Sequence, residues 1–360
     1  MLKYTVSHLL YGLLVLLGVA TLVFFLFNIL PGDPARMMLG QRADEESLRI
    51  INKDLGRDKP LGLQYLNYLN DLAPLSLHNV GNPDNYFFLD SEKYAPCHRL
   101  VTIRNTSLVL KVPYLRRSYQ SKRKVSDIIA TAFPQTAILT FTAMTFALLV
   151  GIALGIVAAL HKDSWLDHVI LFFSTLGMSL PSFFAAILIA WLFAYVLSNV
   201  THLNMFGSFY TVDDYGTGEY LDLKNLILPA LTLGIRPLAV LVELTRNSLL
   251  EALSQGYVRT ARAKGMPFRR IVLHHALRNA MNPIVTAASG WLAGLLAGTV
   301  FVEYVFDWKG MGVVIVDGLE KYDFPVVMGA ILFVCILLVV INIVVDVLYG
   351  VLDPRARVSE

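Results

Sequence analysis

Five stretches of this 360-residue chain contain no Asp, Glu, Lys or Arg: 9–32, 128–160, 168–212, 279–302 and 324–345. Each exceeds the roughly 20 apolar residues that carry a helix across a bilayer. A helix of that length in water needs a polar face, and these have none. A sixth stretch, 225–250, is equally apolar but is interrupted by Arg236, Glu243 and Arg246. Charged residues make up 16% of the chain, against about 25% in soluble domains, so two soluble domains are excluded. The runs predict six membrane spans at 9–30, 134–160, 168–198, 225–249, 280–302 and 326–350. The first follows Lys3, as a signal peptide would. It outruns a signal's apolar core of about 7–15 residues, and no A-x-A site follows, so it is expected to remain as an anchor.

Orientation follows from basic residues in short loops. The segment after span four carries Arg259, Arg262, Lys264, Arg269, Arg270 and Arg278 against Glu251, and is expected inside. The loop before span four carries Asp213, Asp214, Glu219 and Asp222 against Lys224. The loop after span five carries Glu303, Asp307, Asp317, Glu320 and Asp323 against Lys309 and Lys321. Both are expected outside, which leaves both termini cytoplasmic, consistent with Lys3, Arg355 and Arg357. The organisation expected is an N-terminal segment and first span (1–30), an outer domain (31–133), a transmembrane core (134–350) and a short inner tail (351–360). The fold class is all-α polytopic, with six transmembrane helices and a small α+β outer insertion. In that insertion Leu100-Val101-Thr102-Ile103 and Leu108 to Val112 alternate as strands do. Residues 44–56 read as a helix with Asp44 as cap and Gly56 as stop. Cys97 lies in the outer segment and Cys335 in span six, so no disulfide between them is expected.

Sequence signatures of catalysis are absent. The chain has no phosphate-binding G-x-x-x-x-G-K-[ST], no H-E-x-x-H and no G-x-S-x-G. His274 and His275 are adjacent and cannot share a helix face as metal ligands do. His168 and Ser174 have no spacing that specifies a hydrolase. A net charge of +3 gives no ground for nucleic acid as a partner; membrane lipid is the expected surroundings.

Residues 251–279 hold the strongest local signal. Two short helices are expected there, with Gly265 in the left-handed position that ends the first and Pro267 opening the second. Arg262 and Lys264 complement the dipole of the first helix, and Ala261 and Ala263 keep its surface slim. The plain alternative is a basic inner loop that only obeys topology. Inside the bundle, Arg236 near mid-depth of span four is placed at a position that costs about 2.5–3.5 kcal/mol on insertion scales. It is expected to line a pathway or to pair with Glu243 or Asp346. Gly290, Gly294 and Gly298 form a small-residue ridge, as do Gly151 and Gly155, suited to tight packing within the chain or to a seam with a second subunit.

Tyr257-Val258-Arg259-Thr260-Ala261-Arg262-Ala263-Lys264-Gly265, followed by His275-Ala276-Leu277-Arg278-Asn279-Ala280, resembles the permease signature of ABC importers, in the version of the dipeptide/oligopeptide/nickel branch, B-type subunit. Leu30-Pro31-Gly32-Asp33-Pro34, Leu176 to Phe183, Leu228-Pro229-Ala230-Leu231 and Leu352-Asp353-Pro354-Arg355 resemble further blocks of that family. The resemblance implies a type I importer permease fold in the bacterial inner membrane. It implies that Tyr257, Arg259, Thr260, Ala261, Arg262, Ala263, Lys264 and Gly265 couple to an ATPase. The implied partners are a C-type permease, two cytoplasmic ATPase subunits and an extracytoplasmic solute-binding protein. ATP and Mg would bind those ATPases; no cofactor is expected on this chain and no catalysis by it. Arg259, Thr260 and Ala261 stand where the general motif has E-A-A, and about 72–117 is an insertion relative to the family. The implied activity is transport of peptides or a related small solute; an ATPase-independent secondary transporter or channel, or a membrane assembly or receptor protein acting through the outer domain, stands as the alternative.

Overall fold

The structure, a computed structural model, describes residues 2–29, 45–46, 52, 57–82, 85–90, 93–94, 96–212 and 218–352, without the side chains of 2–9, 29, 212, 297–298 and 346–352. Of the expected helix at 44–56 only Glu45, Glu46 and Asn52 are described, and they are helical; the Pro31-Gly32-Asp33-Pro34 block and the tail beyond Leu352 lie outside the described residues. Four helices are long and apolar enough to cross a membrane, within Leu10–Asn28, Val125–Leu160, Lys224–Ser254 and Phe324–Val345. Two bent pairs make six if each is one span: Trp165–Ser179 with Ser182–Val196, bent by 112°, and Phe268–Leu296 with Val300–Phe306, bent by 58°. Spans three and five, read from sequence as single passes, are therefore broken. The first break falls at Leu180-Pro181, where proline removes a backbone donor and disfavours helix at the residue before it.

The chain divides into two compact units, Met1–Thr131 with Val314–Ile336, and Ala132–Val313 with Leu337–Glu360. In the first, α1 (Leu2–Ile29) is followed by α2 (Leu61–Leu72) and a three-stranded antiparallel sheet of β1 (Leu75–Asn79), β2 (Cys97–Ile103) and β3 (Thr106–Lys111), in the order β1-β3-β2. The two alternating stretches in the sequence are thus β2 and β3, paired with Thr102 opposite Ser107. Apolar faces of α1 and α2 meet the start of α11 (Phe324–Leu352) through Val23, Phe24, Phe27, Tyr68, Phe324 and Val327. Asp71, 1% exposed, organises the polar interior. Its carboxylate accepts from Tyr94 Oη (2.6 Å), Lys93 Nζ (3.2 Å) and Arg116 Nε (3.4 Å), and its carbonyl from Lys111 Nζ (2.6 Å). Asp323, placed by the sequence in an outer loop with the exposed acids, is instead 5% exposed and accepts from Ser118 Oγ and from the Tyr119 N–H.

The second unit holds α3 (Val125–Leu160, from Ala132 on), α4 (Trp165–Ser179), α5 (Ser182–Ile189, continued by a π-helical turn Ala190–Val196), a hairpin of β4 (Tyr210–Val212) and β5 (Glu219–Leu221), and α6 (Lys224–Ser254). Then come α7 (Gly256–Ala263), a π-helical turn Ile271–Ala276 leading into α8 (Leu277–Gly298), α9 (Val300–Phe306) and the first part of α10 (Met311–Glu320). Leu139, Ala143 and Ala147 of α3, Leu228, Leu233 and Leu241 of α6, and Ile284 and Leu295 of α8 form its core. Between membrane helices there is no hydrophobic drive beyond that of lipid, so close approach carries association. Glycine permits it here: a Cβ at Gly155 would lie 2.5 Å from Thr245 Cβ and 2.8 Å from the Val242 carbonyl oxygen, and one at Gly151 would lie 3.0 Å from Leu241 Cβ. Gly290 and Gly294 differ, since a Cβ at either meets nothing within 4 Å. The within-chain packing expected of that ridge does not occur at those two positions. Gly298 lies outside the residues whose surroundings are described.

Two outcomes follow. Gly155→Val forces overpacking at the α3–α6 contact and should destabilise by about 1–3 kcal/mol; Gly290→Val should leave thermal unfolding of the purified chain in detergent unchanged. In the three-stranded sheet, burial, reinforced by the Lys111 charge, pushes the His78 imidazole from 6.5 to about 4. The unfolded chain takes up this proton near pH 6.5 and the folded chain only near 4. Stability from neutral His78 is complete above 6.5 and is lost as pH falls toward 4. Amide exchange in β1 and β3, corrected for intrinsic rates, should accelerate over that interval, and His78→Gln should flatten the dependence.

Candidate functional site

The basic segment folds as a helix, a tight stop and a π-helical turn. Gln255, extended at ψ 153, separates α6 from α7. Gly265 adopts φ +75, and its N–H donates to Arg262 O (2.9 Å) while Met266 N donates to Ala261 O (3.3 Å). This pair of bonds is the Schellman arrangement, which satisfies carbonyls left open at a helix end. Pro267 sits just before Phe268–Arg270 as its cap residue. Ala261 (8% exposed), Val258 and Ile271 form a small core with Leu253 and Met266 beside it. Ala261 therefore faces inward rather than thinning an outer surface. Tyr257, Arg259, Thr260, Arg262, Ala263, Lys264 and Gly265 are exposed, as are Arg269, Arg270 and Arg278. Arg262 lies over the Phe268 ring at 5.3 Å, which fixes one cation against the turn. The result is a cationic knob whose helix end is closed by its own hydrogen bonds and whose charged residues are exposed.

Arg236 and Glu243 lie on α6 and both are exposed on the isolated chain. Neither makes an ion pair among the described residues. The side chain of Asp346 lies outside them, so the three candidates are not brought together as one site. The ion pair that α6 does make is at Arg246. Its Nε donates to Asp167 Oδ1 at 2.7 Å and its Nη2 to Oδ2 at 2.6 Å, with side-chain exposures of 15% and 2%. The sequence shows Arg246 as an interruption of span four and Asp167 at the foot of span three. Nothing in their spacing of 79 positions joins them.

Glu303 is the larger correction. Counted among outer-loop acids, it is fully buried in α9. Its Oε1 accepts from Thr136 Oγ1 (2.6 Å) and Thr299 Oγ1 (3.0 Å), and its Oε2 from the Gly312 N–H (2.6 Å). Thr136 in turn accepts from the Met311 N–H at 2.8 Å. A Cβ at Gly310 would overlap the carboxylate, and one at Gly312 would lie 2.5 Å from Val300 Cα. Trp308, also fully buried, donates from Nε1 to the Gln135 carbonyl at 3.0 Å. The signal available in sequence was the pair of glycines following Trp308, too close to it for an ordinary loop.

Comparison with known proteins places this geometry. The sequence profile of the binding-protein-dependent transport system inner membrane component matches residues 151–358, and the profile of the N-terminal part of such membrane components matches 1–84. The glutathione transport system permease protein GsiC of Salmonella choleraesuis (strain SC-B67) is 35% identical over 357 residues, 99% of each chain. The di/tripeptide transport system permease protein DppB of Pseudomonas aeruginosa (strain UCBPP-PA14) is 35% identical over 354 residues, 94% of each. Among solved structures, a chain of the inward-facing MetNI methionine ABC transporter superposes with a TM-score of 0.51 at 17% identity, over 63% of this chain and 97% of that one; this likeness concerns the fold alone. The chain belongs to the binding-protein-dependent transport system inner membrane component family, and so is a multi-pass ABC-importer permease.

Removing the buried acceptor should be severe. Glu303→Ala leaves the Gly312 N–H and two threonine hydroxyls without their acceptor, each at about 1–3 kcal/mol. The folded yield in detergent should collapse, whereas Glu303→Gln, which keeps one acceptor oxygen, should retain part of it.

Proposed function

We propose that this chain is the B-type permease of an ATP-driven importer for peptides or a related small solute such as glutathione. The exposed cationic knob on α7 is the observation that carries the reading. It offers a partner a preformed surface at small ordering cost, since its backbone is already satisfied and Ala261 anchors it from within. Tyr257, Arg259, Thr260, Arg262, Ala263, Lys264 and Gly265 present the docking face to an ATPase subunit. The partners are a C-type permease, two cytoplasmic ATPases that hold ATP and Mg, and an extracytoplasmic binding protein. The basic segment and both termini lie in the cytoplasm; the sheet of β1–β3, within the 72–117 insertion, lies outside. The peptide-like substrate is supported by full-length similarity to a glutathione permease and a di/tripeptide permease. Arg236 is a candidate pathway charge. An exposed arginine near the middle of a membrane helix does not stably face lipid, so a wet passage or a partner subunit is where it belongs.

The mechanism is mechanical rather than catalytic for this chain. ATP closes the ATPase pair, the knob is displaced, and the helices continuous with it rearrange to open the passage outward; hydrolysis reverses the movement. Ala263→Trp places a bulky ring on the exposed face without touching the core of Ala261. In proteoliposomes holding the co-purified complex, ATP hydrolysis should persist while uptake of labelled glutathione or tripeptide falls about tenfold. Normal uptake per ATP in that variant, or labelling of a cysteine at Lys264 by an impermeant thiol reagent from outside intact cells, would remove the assignment.

A further inference from the structure

The end of α6 passes into α7 through Gln255 alone, so whatever is fastened to α6 near that end moves with it. Arg246 lies about 12 Å before that end, eight residues at 1.5 Å each. Its guanidinium and the Asp167 carboxylate form a two-pronged pair, a geometry that fixes direction as well as distance. Asp167 is in the first turn of α4 and is doubly held: its Oδ2 also accepts from the Asp163 N–H (3.0 Å), and its own N–H donates to Ser164 Oγ (3.4 Å). On the neighbouring turn of α6, Thr245 and Val242 fill the space left by Gly155 of α3. The ends of α3 and α4, and the turn joining them, are thus all attached to α6 between 242 and 246.

From Asp167 the helix α4 runs to Leu180, about 20 Å along its axis. There the chain turns by 112° into α5. Beside the bend lies an apolar cavity of about 480 Å³, open to the surface and lined by Phe173 and Gly177 of α4, Leu188 of α5, and Ile235 and Leu238 of α6. A Cβ at Gly177 would lie 2.7 Å from Ile235 Cγ2, so α4 and α6 touch again at the far end of this lever.

We propose that the Asp167–Arg246 pair is a clamp that makes α4 follow α6, carrying displacement of α7 to the bend at 180–181 and to the cavity beside it. This rests on the coupling reading of α7. Apolar contact alone permits helices to slide past one another; a two-pronged charged pair resists sliding, because displacement breaks two directed hydrogen bonds at once. Asp167 and Arg246 are positioning residues: they are not proposed to meet the solute or the nucleotide.

The test uses the co-purified complex in proteoliposomes, with Cys97 and Cys335 replaced by serine and Met178→Cys, an exposed site just before the bend, as reporter. Thiol labelling is compared without nucleotide and with vanadate-trapped ATP. The parent should show a several-fold nucleotide effect. Asp167→Asn should abolish it while ATP hydrolysis stays within about twofold. Arg246→Lys, which keeps the charge and loses the fork, should abolish it in part, and the exchanged pair Asp167→Arg with Arg246→Asp should restore it. A full nucleotide effect in Asp167→Asn, no effect in the parent, or an exchanged pair that assembles without restoring the effect would overturn the clamp. The Ala263→Trp variant reads the coupling assignment separately with the pair intact. If it still transports normally while Asp167→Asn loses the reporter response, the coupling reading fails and with it the transmission from α7, and only the link that makes α4 follow α6 stands.

Discussion

A carboxylate with no exposed surface, surrounded by helices that themselves sit in an apolar solvent, sets the terms for the middle of this structure. Glu303 has to find donors within the protein, because its side chain is wholly shielded from bulk water. It finds them on three separate pieces of chain: the beginning of α3 through Thr136, the corner before α9 through Thr299, and the backbone after Trp308 through Gly312. Satisfying one side chain thereby fixes where α9 turns, why the 58° bend falls at Thr299, and why the return loop is too tight for any side chain at 310 or 312. Trp308 then closes over the node and donates to Gln135, so α3 is held twice.

α6 is where the remaining constraints converge. α3 approaches it closely at Gly151 and Gly155, α4 is tied to it at Arg246, and α7 follows it after one residue. Its two internal prolines do not end it: the helix is continuous from Lys224 to Ser254. Pro229 is itself buried and Pro237 also, so packing holds the helix together where backbone bonds are missing.

Much of the fold was legible because membrane helices announce themselves through what they lack. The absence of charge over twenty residues located five of the six expected spans, and the alternation at 100–103 and 108–112 located two strands of the three-stranded sheet. The stop at Gly265 was legible because a helix that ends in this way favours a residue tolerant of positive φ, and Gly265 adopts φ +75. What could not be read were partners distant in sequence. Asp323, Glu303 and Asp167 look alike in a sequence, each an acid at the edge of an apolar run. Their roles come from Ser118, Thr136 and Arg246, lying 205, 167 and 79 positions away. Charge counting assigns such acids to loops, because it has no means of knowing that a donor waits inside.

The two glycine pairs carry the complementary lesson. Gly151 and Gly155 and the pair Gly290 and Gly294 share the same four-residue spacing, yet the first pair is filled by a neighbouring helix and the second is open. Spacing identifies a surface that permits close approach; it says nothing about which helix approaches. An open small-residue ridge gains nothing from lipid chains that it would not gain from larger side chains, whereas a second helix gains backbone contact from it. Arg236, exposed near the middle of α6, stands in the same position electrostatically: its place in the bilayer is tolerable only against water or another protein surface. Two unlike features, one steric and one charged, therefore ask for the same thing. Neither need is met by the described residues of this chain.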